Sequence, residues 1–177
     1  MGVDKNISPK TNTKILYNIY MKKLIKVSSI LAILLGIVLT IGGVWGIYFT
    51  YKNVAREKII TPADANISGK PVLGPLTLRA QSDAIRKHTL LTTEDKTFAE
   101  MPRQIQEIGK DGKPILDEKG DPIMTPNMAR DIWITATTLT TALNLAILVY
   151  AFSTLITLFG IILIWIGVIF YTLNNKL

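Results

Sequence analysis

Hydrophobic residues along the chain are concentrated in two long blocks that flank a polar middle region. The first block, Val27–Tyr51, holds 25 residues without a charge, and the second runs from Ile132 to Asn175, 44 residues without one. A helix needs only about 20 apolar residues to cross the hydrocarbon core of a bilayer. Both blocks are therefore predicted to contain transmembrane helices, the first of them over residues 27–51.

The second block is predicted to be one helix that begins outside the lipid, because no Gly-Pro pair or charged turn divides it in two. Thr125 suits the N-cap and Pro126 the first helical position. At about 1.5 Å per residue such a helix reaches roughly 70 Å, about twice the bilayer core. Threonines cluster early in it, so residues 127–144 are predicted to project outwards. Residues 145–172 then form the second span, followed by a short tail, 173–177.

Positive charge is concentrated ahead of the first block. Residues 1–26 carry six lysines against one aspartate, whereas residues 52–131 carry 13 basic and 12 acidic groups. Lysines next to a span favour the cytoplasm. The prediction is a multi-pass protein of the cell membrane with both termini cytoplasmic, a loose basic tail over 1–26, and residues about 52–144 extracytoplasmic. The first block exceeds the usual apolar core of a signal peptide, which favours an uncleaved anchor, and a start at Met21 stays open.

The middle region, residues 52–126, is predicted to fold as a small α+β domain. Residues 69–75 are rich in glycine and proline and are typical of turns. Leu76–Leu91 has apolar residues at near-helical spacing and is predicted to form a helix. Asp111-Gly112 and Gly120-Asp121 are turn signals, and short strands around the first would form a β-hairpin within 109–123. The fold class is thus a mostly α membrane protein with two transmembrane helices around a small domain.

Catalytic groups are scarce in this sequence. It has no cysteine, and its one histidine is His88. A histidine-based metal site needs about three protein ligands, which this sequence does not supply as histidine or cysteine. A catalytic triad would depend on His88 alone as its base. Asp117–Asp121 is rich in acidic residues but lacks the further ligands of a calcium loop, and is expected to be a solvated turn. We therefore expect no enzyme activity, cofactor or metal. The cations lie beside a membrane segment and not on a folded domain, which disfavours nucleic-acid binding.

Small residues in the apolar blocks suggest where helices pack. Gly42 and Gly46 form a G-x-x-x-G motif, which lets helix backbones approach closely in lipid. The predicted packing residues on the two helices are Gly42, Gly46, Ser153, Thr157, Gly160 and Gly167. They would serve either a homodimer or foreign membrane subunit, or the antiparallel packing of the two spans on each other. Neither block contains Asp, Glu, Lys, Arg or His, which argues against an ion pathway or proton relay.

The middle region resembles a group of small two-span bacterial membrane proteins, frequent in actinobacteria. Four short motifs over about residues 30–160 carry the resemblance: Glu57, Ile59, Ile60 and Thr61; Val72, Gly74 and Pro75; Gln81, Asp83, Ile85 and His88; Thr97, Ala99 and Glu100. Members of that group are often described as aromatic ring-opening dioxygenases, which hold iron with several histidine and carboxylate ligands. This chain departs from that pattern in its single histidine and in a longer insertion, GKDGKPILDEKGDPI.

The predicted function is that of a non-catalytic membrane accessory or structural subunit that presents a small extracytoplasmic domain. Its expected partners are the lipid bilayer and either another integral membrane protein or a second copy of itself. The alternative is an extracytoplasmic ligand-binding or sensing protein. Its functional patch would then comprise Gly74, Pro75, Gln81, Asp83 and His88. A metal-dependent enzyme is a third reading.

Overall fold

The structure, a computed structural model, describes the backbone of residues 9–176 and the side chains of residues 17 and 19–176. In chain order it contains α1 (Pro9–Arg56), α2 (Pro75–Thr92), β1 (Gln104–Gln106), β2 (Met124–Pro126) and α3 (Met128–Lys176). Both α1 and α3 are long and apolar enough to cross a membrane. Only 11% and 17% of their most apolar windows are buried, so the described residues leave most of these windows uncovered.

Helix α1 begins earlier than the sequence predicts. Residues 9–20 were expected to belong to a loose tail, and they are helical; residues 1–8 lie outside the described part. No glycine or proline occurs between Lys10 and Leu35, so nothing stops the helix from extending N-terminally. It ends at Arg56, and Lys58 then adopts a left-handed φ of 51° ahead of the Thr61-Pro62 pair.

Helix α3 is one uninterrupted helix, but its start differs from the predicted one. Thr125 and Pro126 lie in β2, where they pair with Ile105 and Gln104. The capping residue is Asn127, whose Oδ1 accepts a hydrogen bond from the Ala129 N–H at 3.1 Å. Asparagine is among the strongest N-caps. Thr125 and Pro126, the predicted helix start, therefore belong to β2, and α3 begins at Met128, directly after Asn127.

The chain divides into two compact units. The first, which we call the helix-pair unit, consists of α1 up to Phe49 and α3 from Ala151. The second, the intervening unit, spans Thr50–Tyr150.

The core of the intervening unit is small and is built around α2. Val72 and Leu78 are only 1% exposed, and Met101, Leu143 and Tyr150 are also buried. The predicted helix over Leu76–Leu91 corresponds to α2, which is longer by one residue at each end.

A two-stranded antiparallel sheet closes the segment between α2 and α3. β1 pairs with β2, with Ile105 opposite Thr125. The strands therefore enclose both predicted turns, whereas the sequence placed the hairpin strands around Asp111-Gly112 alone. Around that turn the structure has a single bridge, Ile108 to Pro114, and a second bridge, Leu116 to Pro122, recurs around the next turn.

Candidate functional site

Small residues that recur every seven positions line the close contact between α1 and α3 in the helix-pair unit. On α1 they are Ser29, Gly36 and Gly43, and on α3 they are Ser153, Gly160 and Gly167. All six are buried. A seven-residue repeat keeps one seam of a helix facing its neighbour over several turns. We call this surface the small-residue seam.

Opposite positions of the seam meet in antiparallel order. A methyl group on Gly36 would lie 2.6 Å from the Gly160 carbonyl oxygen, and one on Gly160 would lie 2.7 Å from the Gly36 carbonyl oxygen. A methyl group on Gly43 would lie 2.7 Å from the Ser153 carbonyl oxygen, and one on Gly167 would lie 2.9 Å from the Ser29 carbonyl oxygen. Only a hydrogen on each α-carbon fits there. The backbones are therefore close enough for weak Cα–H···O contacts, the kind that glycine-rich helix interfaces use in lipid.

Hydroxyl groups beside the seam are satisfied within their own helices. Thr40 Oγ1 donates to the Gly36 carbonyl, and Thr157 Oγ1 donates to the Ser153 carbonyl, each at 2.8 Å. Ser29 Oγ donates to the Lys26 carbonyl at 2.7 Å. A polar group in an apolar setting costs free energy unless it is hydrogen-bonded. These residues therefore provide small volume without leaving an unpaired donor.

The structure brings five of the six predicted packing residues to this contact and leaves one outside it. Gly46 contacts the Ser153 hydroxyl, and Thr157 contacts Gly43. A methyl group on Gly42, by contrast, would meet nothing within 4 Å. The face of α1 that meets α3 thus contains Gly43 and Gly46, and Gly42 lies outside it. The seven-residue spacing of Ser29, Gly36 and Gly43 was the available signal for the residues that were missed.

Gly74 and Pro75, two residues of the predicted patch, form the start of α2. Thr77 Oγ1 accepts hydrogen bonds from the Leu73 and Gly74 N–H groups at 3.0 and 3.2 Å. Tyr150 donates its hydroxyl to the Leu73 carbonyl at 2.7 Å. Proline at the first helical position has no N–H to leave unpaired. In this structure the two residues fix where α2 begins.

His88 and Asp83 lie on α2 with different partners. His88 Nε2 lies 2.9 Å from Asp64 Oδ2, and Lys87 Nζ donates to the same oxygen at 3.0 Å. These hydrogen bonds lower the pKa of Asp64 from 3.8 to about 2. Asp83 instead accepts from Arg79 at 3.0 Å. The Asp64 contact ties the loop before α2 to the helix surface, and all three side chains remain accessible to solvent.

Gln81, the remaining member of the predicted patch, is half-buried. Its Oε1 is fully enclosed and accepts no hydrogen bond within the part of the chain that the structure describes. Among those residues no group of three or more histidine, cysteine, aspartate or glutamate side chains could hold a metal ion. The residues of the predicted patch therefore fall into four local arrangements with different partners.

Arg130 joins the start of α3 to the segment after α2. Its Nη1 donates to the Phe98 and Met101 carbonyl oxygens at 3.1 and 2.5 Å, and the guanidinium lies 3.7 Å from the Phe98 ring centre. Asn127 adds a hydrogen bond from its Nδ2 to the Pro102 carbonyl at 3.0 Å. Both side chains thus donate to backbone carbonyls of the segment after α2, and buried carbonyls need such partners. Neither contact could be predicted from the sequence, since the partners lie 25 to 32 residues apart.

Comparison with known protein families, curated proteins and solved structures finds no match to this chain.

Proposed function

We propose that this chain is a non-catalytic integral membrane accessory or structural subunit that binds a membrane protein partner. The observation that carries the proposal is that the glycines of α1 lie on two different faces of the helix. Its seam glycines are fully occupied by α3, while Gly42 faces outwards with open space around it. The two apolar blocks contain no Asp, Glu, Lys, Arg or His, the residues that usually mark a proton relay or ion pathway, and this supports a packing function over transport.

The proposed topology is two spans with both termini cytoplasmic and residues about 52–144 extracytoplasmic. Lys22, Lys23 and Lys26 are exposed on α1 just before its apolar stretch, and lysines at that position favour the cytoplasmic side. Both apolar helices have their large side chains exposed, which suits contact with lipid tails. A second span would then return the C-terminal end of α3 to the cytoplasm.

The proposed partner site is a notch on the outer face of α1. Gly42 lies at helical spacing from Val38, Trp45 and Phe49, whose side chains are all exposed. The Trp45 and Phe49 rings stack with centres 5.3 Å apart and form a rigid wall on one side of the glycine. A missing side chain between large ones lets a second helix approach closely, which is how glycine motifs promote helix association in lipid.

Affinity purification of the full chain in mild detergent, followed by quantitative mass spectrometry, tests this function. We expect one multi-span protein to co-purify with the wild type and to be depleted at least about tenfold with Gly42→Leu, because the leucine fills the notch. Val44→Leu is the matched control, since Val44 is 54% exposed on another face of the same helix. Equal recovery from all three forms, or recovery of no membrane protein by the wild type, would contradict the proposal.

Extracytoplasmic ligand binding is the second candidate function, and the enclosed Oε1 of Gln81 favours it. A buried acceptor without a partner costs free energy that a ligand's donor group would recover. A thermal-shift screen of small polar molecules and metal ions on wild type and Gln81→Leu tests this candidate. Stabilisation of the wild type alone supports it, and a flat screen on both forms removes it.

A further inference from the structure

Residues 107–123 contain an eight-residue repeat in both sequence and structure. EIGKDGKP (107–114) is followed by ILDEKGDP (115–122), with glycine at the sixth and proline at the eighth position. Gly112 and Gly120 have left-handed φ angles of 77° and 85°, which favour glycine. The bridge from Ile108 to Pro114 recurs eight residues later from Leu116 to Pro122. We call residues 107–123 the double-turn module.

Backbone hydrogen bonds of the module repeat with the same period. Gly109 N–H donates to the Lys113 carbonyl at 2.8 Å, and Asp117 N–H donates to the Asp121 carbonyl at 2.8 Å. The residues at the repeat boundaries close a ring: Ile115 donates to Glu107, Ile123 to Ile115, and Glu107 to Ile123, each at 2.8 Å. Two turns of equal geometry are thereby held side by side on a common base.

Charge is inverted between the two turns, position by position. Both turns carry charged side chains at the fourth, fifth and seventh positions of the repeat, and the sign is opposite at each. The pairs of equivalent residues are Lys110 and Glu118, Asp111 and Lys119, and Lys113 and Asp121. At these three positions the charges of the two turns are complementary to each other, although the turns belong to one chain.

Among these six charged side chains only Asp111 has a hydrogen bond in the described part of the structure, where its Oδ1 accepts from the Lys113 N–H at 3.2 Å. In the described part of the structure none of the six side chains forms an ion pair, and all are exposed. Apolar residues beside them are exposed as well: the equivalent Ile108 and Leu116 are each 55% exposed, and Ile115 and Ile123 each 38%. Exposed apolar residues close in sequence to unpaired charged ones are typical of an association surface.

We propose that the double-turn module is a self-association surface whose occupant is a second copy of this chain. In a twofold arrangement the first turn of one copy meets the second turn of the other, and the reverse contact forms by symmetry. Each contact then pairs Lys110 with Glu118, Asp111 with Lys119, and Lys113 with Asp121, and places Ile108 against Leu116. This inference does not rest on the notch at Gly42 or on the proposed accessory function.

Two charge variants of the full chain test the proposal. K110E/D111K/K113D gives both turns the charges of the second, and E118K/K119D/D121K gives both turns the charges of the first. Each variant alone would place like charges opposite each other at every position. Mixing the two variants restores opposite charges at all three positions. Combining all six substitutions in one chain, which we call the sixfold exchange, does the same. Because the chain lacks cysteine, Asn175→Cys provides a single attachment point for donor and acceptor dyes.

Energy transfer between labelled chains in liposomes, over a range of protein-to-lipid ratios, reads out association. We expect the wild type to associate, each variant alone to be weakened at least about tenfold, and the mixture and sixfold exchange to return to near wild-type association. Added salt should weaken the wild-type contact, because exposed charges are screened. Gly42→Leu should leave this signal unchanged, which separates it from helix-mediated partner binding.

Three results would overturn the proposal: a monomeric wild type at every ratio, wild-type association in both separate variants, or no recovery in their mixture. Circular dichroism and the thermal midpoint of each variant check that the turns still fold. If only the first variant loses its structure, E118K/K119D/D121K remains as the test. This second variant keeps Asp117, whose Oδ1 accepts hydrogen bonds from the Lys119 and Asp121 N–H groups at 2.8 and 2.9 Å. If it associates like the wild type, the proposal is wrong.

Discussion

The adjacent glycines 42 and 43 allow a direct test of the small-residue seam, because they have the same sequence environment and different structural neighbours. A methyl group on Gly43 would lie 2.7 Å from the Ser153 carbonyl oxygen and 2.8 Å from the Thr157 nitrogen, with the Thr157 hydroxyl closer still. Ordinary contact begins near 3.4 Å, so the backbones must move apart by about 0.6–0.7 Å for the methyl group alone. At Gly42 the same group meets nothing.

The expected destabilisation follows from that shortfall. Extra methylenes in a closely packed site cost about 1–3 kcal/mol, so Gly43→Ala should lower the free energy of unfolding by that amount and Gly43→Leu by more. Gly42→Ala and Gly42→Leu should stay within about 0.5 kcal/mol of the wild type, apart from the gain in helix propensity. That gain, about 1 kcal/mol for glycine to alanine, is shared by both positions and cancels in the comparison.

Unfolding in mixed micelles of mild detergent and sodium dodecyl sulfate, followed by circular dichroism, measures the four variants. The midpoint should fall in the order Gly42→Ala, Gly43→Ala, Gly43→Leu, with Gly42→Leu close to the first. Equal midpoints for Gly42→Leu and Gly43→Leu, or a lower one for Gly42→Leu, would mean that α1 presents a different face to α3. The seam would then be wrong.

Three further predictions concern the intervening unit. A carboxyl whose pKa is lowered by folding stabilises the fold above its ordinary pKa and loses that effect as the pH falls. Asp64 should therefore contribute fully above about pH 4 and lose its contribution towards pH 2. In Asp64→Asn the thermal midpoint should depend less on pH over that range. Asn127→Ala should cost about 1 kcal/mol and speed hydrogen exchange in the first turn of α3, whereas Thr125→Ala should leave that turn protected. Arg130→Met should free the Phe98 and Met101 carbonyls and speed proteolysis between α2 and β1, while thermal stability and proteolysis equal to the wild type would contradict the described contacts.

Helix existence was predictable from the sequence because it depends on local composition. The two apolar blocks and the spacing of Leu78, Ile85 and Leu91 were enough to place α1, α2 and α3. The ends of the helices were less predictable from the sequence, because neighbouring elements compete for the residues at each boundary. Thr125 and Pro126 carry a good start signal, yet pairing with β1 recruits them into a strand.

Packing partners were only partly predictable, since a helix face is chosen by the partner and not by a motif. Gly42-x-x-x-Gly46 satisfies a known pattern, but the face that meets α3 is centred on Gly43, 100° further round the helix. A search for a seven-residue period in both helices would have found the seam. The contacts of Arg130 with Phe98 and Met101 were out of reach, because both acceptors are backbone carbonyls and leave no trace in the sequence.

The inverted charges of the double-turn module were visible in the sequence but not recognisable without the structure. The two turns differ at most positions, and only Gly112 with Gly120 and Pro114 with Pro122 are identical. The recurring hydrogen bonds establish the alignment that makes the charge reversal apparent.

Cysteine labelling in intact cells tests the central claim, a two-span membrane protein with the region between its spans outside, most directly. Thr138→Cys and Leu158→Cys are both exposed positions of α3, Leu158 at 52%, and no other cysteine competes. We predict that a membrane-impermeant maleimide modifies Thr138→Cys and leaves Leu158→Cys unmodified, because lipid covers the latter. Equal modification of both positions in the absence of detergent would contradict this topology. Protection of Thr138→Cys in intact cells would contradict it as well.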